Sequence, residues 1–167
     1  MTDTEIAALL LRAVLGATML AHGYNHLFGA GGVAGTARWF ASIGLRPPKV
    51  HAWTSGLLEC GVGLALLAGL LTPLSCAAVI GVMAVAGVVA HRPNGFFVFR
   101  DGYEYVLFVS VAAAALSAIG PGRLALDHVV PSLPEGGWGV LIAVGAAVTG
   151  TAVMLSLSWR PTGEEAA

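Results

Sequence analysis

Five ionisable side chains lie where water has little access. His22, His26, Glu59, His91 and Glu104 stand within long apolar stretches or at their margins. Holding an ionisable group inside a membrane span is expensive, so its presence there is by default a sign of function. A carboxylate and an imidazole in such a place can exchange protons or hydrogen-bond a ligand oxygen. His22 and His26 are spaced i, i+4, which puts both on one helix face. With two carboxylates they also offer donors to a transition metal. The ExxH pair of a di-iron bundle is missing, and no metal is assigned.

These side chains must be positioned by apolar elements. Of 167 residues, 57% are hydrophobic and only 10% are charged, against about 25% charged in a soluble domain. The mean hydropathy is +0.83. Five apolar segments follow one another: residues 5–28, 52–71, 73–90, 103–119 and 138–159. At 1.5 Å per residue, about 20 residues cross a hydrocarbon core of roughly 30 Å. The stretch 36–45, with Trp39 and Phe40, is too short to span and is expected at the interface, ended by Pro47-Pro48. The acidic start, MTDTEIAALLLRAVLG, reads as a retained first helix rather than a basic signal peptide. Gly139, Ala143, Ala147 and Thr151 form a small-residue face in the last segment, suited to close helix contact or to a partner. The tail from Arg160 is expected to be polar and loose.

Counting residues from the segment ends gives depth. Five alternating spans put the end of segment one, both ends of the 92–102 loop and the start of segment two on the same side. His22 then lies about 9 Å in and Glu59 about 10 Å in, with His26, His91 and Glu104 near the boundary. Side chains from four segments thus converge on one leaflet, while Arg12 and Asp127 fall toward the other, where they could pair. Basic residues Arg38, Arg46, Lys49, Arg92, Arg100 and Arg160 flank the first leaflet and only Arg123 flanks the second. That bias places the N-terminus outside and the C-terminus in the cytoplasm. Structural alternatives stay open for each member: Glu104 as a carboxylate at a helix N-terminus, His26 and His91 as interfacial residues, and Glu59 as half of a buried pair.

Other classes find no support. There is no basic stripe for nucleic acid at a net charge of −1. The glycine-rich turn at 29–35 lacks a dinucleotide fingerprint and a preceding strand. Cys60 and Cys76 fall in opposite halves of the bilayer and are not expected to be bonded to each other. The interrupted, repeated spans of a transporter are not evident.

Several pieces in order resemble the DoxX family of small bacterial membrane proteins: Arg12 with His22-Gly23, GTARWFASIGLRPP, Glu59 in LLECGVGLALLAG, His91, DGYEY and GPGRLALD, over residues 5–128. The resemblance implies a four-helix membrane bundle over residues 1–130. Residues 131–167 would add a fifth, peripheral transmembrane helix and a short polar tail to an all-α membrane protein. It also implies residence in the bacterial plasma membrane and a quinone-linked or redox-stress oxidoreductase role, quinone being the cofactor. Glu59, Glu104, His22 and His91 are then the candidate catalytic residues, and His22, His26 and Arg12 the candidate cofactor-binding residues. With no flavin, haem or thiol-relay motif in the chain, a membrane or peripheral protein partner must supply electrons. Homo-oligomers are compatible with the sequence. The competing reading is a non-catalytic subunit or assembly protein of a larger membrane complex, whose polar cluster only sets helix register. Retention of a quinone by the purified protein separates the two.

Overall fold

The computed structural model describes residues 1–129 and 133–161, and the tail beyond Pro161 lies outside the described residues. Six α-helices follow in order: α1 (Asp3–Phe28), α2 (Gly32–Ser42), α3 (Pro48–Ala68), α4 (Thr72–Ala86), α5 (Glu104–Ile119) and α6 (Gly136–Ser158). Among the described residues there is no strand, only an isolated bridge between Leu45 and Trp159. Several helix ends have a local cause. Thr2 and Glu5 make a reciprocal capping box before α1. Gly69 closes α3 at φ 67°, a left-handed conformation that favours glycine, and Pro73 opens α4 where no backbone donor is needed. Beyond Ala86 the α4 rod continues through a π-helical turn, Gly87–His91, and a 3₁₀ turn, Arg92–Asn94.

Four of these rods are long and apolar enough to cross a membrane: Asp3–Phe28, Pro48–Ala68, Thr72–Asn94 and Gly136–Ser158. The sequence-based expectation of five is met only in part. α5 is equally apolar, but its 16 residues rise about 24 Å, short of a 30 Å core. It nevertheless runs between the same two ends as its neighbours. Glu104 N–H bonds Phe96 O beside the 92–102 loop, whereas Pro121, just past the helix, meets Arg12 at the other end.

The helices pair. α1 lies along α3, and α4 lies along α6 with α5 beside both. The first pair is brought close by glycine: a Cβ on Gly16 would sit 2.9 Å from Gly63 O, and one on Gly23 would sit 2.8 Å from Gly56 O. In the second pair Gly139, Ala143 and Ala147 of α6 are buried, and Thr151 Oγ1 donates to Gly81 O at 3.4 Å. The small-residue face of α6 thus makes a close helix contact within the chain, one of its two expected uses, and α6, the least buried of the four membrane-length rods, walls one side of the bundle. Its C-terminus is clamped to the α2–α3 turn by Trp159 Nε1 donating to Ile43 O at 3.0 Å and Arg46 N–H donating to Ser158 O at 2.8 Å.

Candidate functional site

The two helix pairs do not close on each other. Between them lies a cavity of about 920 Å³, walled by residues of all six helices. Its polar end is set by α1 and α3. Glu59 is buried at 2% exposure, although it sits in mid-helix among apolar neighbours. Ser55, one turn earlier on α3, donates its Oγ–H to Glu59 Oε1 at 2.6 Å. His26 Nε2 approaches the same oxygen at 3.5 Å. Glu59 Oε2 is buried and has no hydrogen-bond partner among the described residues. A buried carboxylate oxygen left without a partner costs on the order of 1–3 kcal/mol or more. It is held in place only because Ser55, His26 and the close α1–α3 contact fix the rest of the side chain.

His26 is in turn held by α2. Thr36 Oγ1 donates to the His26 carbonyl at 2.8 Å, and the Trp39 and Phe40 rings pack against the imidazole. The stretch expected at the interface is thus a helix that roofs the site. It begins inside the glycine-rich segment, at Gly32, after the turn that follows Gly29. His22, one turn before His26, shares a hydrogen bond with the Tyr105 hydroxyl at 3.3 Å, their rings stacked. His91 lines the rim, its Nδ1–H donating to Asp101 O at 2.7 Å.

The expected cluster is therefore divided. His22, His26, Glu59 and His91 line one cavity, and His26, not His22, is the side chain against the carboxylate. Glu104 is turned away from it: its Oε2 accepts from Val98 N–H at 2.9 Å and organises the 95–103 loop, the N-terminal structural role left open for it. Arg12 is at the far end of the bundle, outside the cavity, and 2% exposed. Its guanidinium donates to Leu66 O, Leu67 O, Pro121 O and Leu124 O at 2.8–2.9 Å. It does not line the cavity that holds His22, and four of its five N–H donors are spent on these carbonyls. Nor does it ion-pair with Asp127. The Asp127 carboxylate instead accepts from Leu71 N–H and Thr72 N–H at 2.6 and 2.7 Å. Around the α3–α4 turn the cation satisfies the carbonyl end of one helix and the anion the N–H end of the next, in the sense that helix dipoles favour.

Sequence reasoning missed Ser55 and Tyr105. Ser55 had a signal, since i, i+4 from Glu59 puts it on the same face. Tyr105 had only its place as the last residue of the DGYEY piece. Cys60 and Cys76 are free thiols. Among the described residues no group of three or more His, Cys, Asp or Glu side chains is placed to hold a metal ion.

An all-helical bundle with several membrane-length apolar helices and a polar site inside it defines a multi-helix membrane protein. The chain belongs to the DoxX family, whose family model matches residues 7–92, more than half of the sequence, from α1 to the end of the π-helical turn. No curated protein and no solved structure matches the chain.

Proposed function

We propose that this protein is the quinone-binding membrane subunit of an oxidoreductase, with Glu59 as the proton-exchanging group. The observation that carries this reading is Glu59 Oε2, a buried carboxylate oxygen without a partner at the wall of a large cavity. The residues fit such a ligand. The volume lies near the top of the ~300–1,000 Å³ range of small-molecule sites, and hydrogen-bonding side chains gather at one end only. A quinone supplies the capacity to take up two electrons and two protons, the electrons coming from a partner protein's redox centre.

The chain's own residues supply the protons and the orientation. Ser55 holds Oε1, which leaves Oε2 free to carry a proton toward a ligand oxygen. His26 Nε2 is near enough to return a proton to the carboxylate. The Tyr105 hydroxyl, bonded to His22, offers a second donor from the opposite helix pair. His91 at the rim links this end of the cavity to water.

Protein purified in mild detergent should carry a membrane quinone, or bind one when it is added, and Glu59→Leu should remove that binding. A wild-type chain that neither retains nor binds quinone would leave the non-catalytic subunit as the better description.

The topology belongs to the same proposal. α5 crosses with the others by drawing the 95–103 and 121–128 loops toward the hydrocarbon, giving five spans in the bacterial plasma membrane with the N-terminus outside and the site in the cytoplasmic leaflet. Reporter fusions at the two termini should report opposite sides, the C-terminal one cytoplasmic. Termini on the same side would reduce the count to four.

A further inference from the structure

The cavity is far longer than its polar end needs. It runs along α4 from Leu74 to Val89, a rise of about 22 Å. Across from Glu59, on the α4–α6 side, its lining is mostly apolar and small, with Ala77, Ala78 and Gly81 on α4 and Ala146, Ala147 and Gly150 on α6. The α4–α6 seam, closed at Gly81 and Ala147, forms the floor of this channel. Its side is incomplete. α3 and α6 scarcely touch each other, and the residues facing each other across that gap are open: Leu58 on α3 is 47% exposed, and Ala146 and Gly150 on α6 are also exposed. The Leu45–Trp159 bridge seals the gap only at the end near the α2–α3 turn. A compact polar ligand arriving from water would need neither the channel nor the side opening.

We propose that the cavity takes a quinone with a long hydrocarbon tail, which enters sideways from the bilayer between α3 and α6. Its tail lies along α4 and its headgroup meets Glu59. This rests on the quinone reading above and adds the tail, the route and the position that selects for them. That position is Gly150. It lines the channel, and a Cβ built on it meets nothing within 4 Å, so a large side chain there projects into the channel without displacing the helix backbone. Gly145 is the matched control: its Cβ also meets nothing within 4 Å, but it does not line the cavity.

The test measures dissociation constants in lipid nanodiscs for two ubiquinone analogues, one with a ten-carbon tail and one with none. Gly150→Phe should weaken the tailed analogue by about tenfold or more, as overfilling a packed site does, and move the tailless one by less than about threefold. Gly145→Phe should change neither. If Gly150→Phe binds the tailed analogue as wild type does, while Glu59→Leu still loses both analogues, the tail channel is wrong and the quinone site stands. If wild type binds neither analogue, both proposals fall. If Gly150→Phe loses a co-purifying phospholipid yet keeps the tailed quinone, the channel belongs to a structural lipid and the proposal is overturned.

Discussion

Glu59→Gln should lower quinone reduction by about a hundredfold or more, the usual contribution of a positioned acid–base group, while the protein folds and still binds quinone. Glutamine has the shape of the carboxylate. Its carbonyl oxygen can accept the 2.6 Å bond from Ser55, and its amide can take the place of Oε2. What is lost is the proton that Oε2 would exchange. Removing a carboxylate whose second oxygen has no partner should leave the thermal midpoint unchanged or raise it. Glu59→Asp keeps an ionisable group one methylene farther from the ligand and should recover part of the rate, which a purely structural residue would not show. The measurement is quinone reduction in membranes containing the variant and its partner proteins, set beside quinone binding by the purified chain. A Glu59→Gln protein with turnover within about threefold of wild type would remove Glu59 from the chemistry.

The largest effect on stability is expected at the other end of the bundle. Arg12→Ala would leave the carbonyls of Leu67, Pro121 and Leu124 without the side-chain donor they now share, and Leu66 O with only its 3.1 Å bond from Gly69 N–H. Each buried polar group stripped of its partner costs about 1–3 kcal/mol, and fewer waters reach it than in a soluble protein. A combined loss of at least ~3–5 kcal/mol follows, enough to lower the midpoint by about 10 °C or more. Arg12→Lys should recover less than half, because one ammonium cannot reach carbonyls on both sides of a planar fork. Thermal unfolding in detergent gives the answer. A midpoint for Arg12→Ala within about 2 °C of wild type would mean that these bonds add nothing net.

How far the sequence alone leads differs from residue to residue. Glu59 was legible because depth follows from counting: it stands well inside segment two, and lipid penalises an outward-facing charge there. In the structure α1 packs against Gly56 and Gly63, one turn to either side of Glu59. Arg12 stood out for the same reason as Glu59, yet its role did not. A guanidinium that binds a cofactor and one that satisfies helix-end carbonyls look alike in a sequence. The difference lies in the Pro121–Leu124 loop, which comes back to it from more than a hundred residues away. Glu104 is similar: its apolar setting was plain, but not its turn toward Val98 N–H.

Hydropathy and helical rise are properties of neighbouring residues, so the sequence by itself determined the apolar helices, their order, the interruptions between them and the side of the bundle on which the histidines and Glu59 meet. Rotation about each helix axis is not local. It is settled by which faces pack, and so only the tertiary structure decided that His26 rather than His22 approaches Glu59, that Tyr105 joins from α5, and that α2 roofs the site. The cavity is the clearest case. It exists because α1 binds α3 through glycines and α4 binds α6 through small residues, each pair tight enough to leave the space between them unfilled. A void of that kind is a property of all six helices at once, and no single segment encodes it.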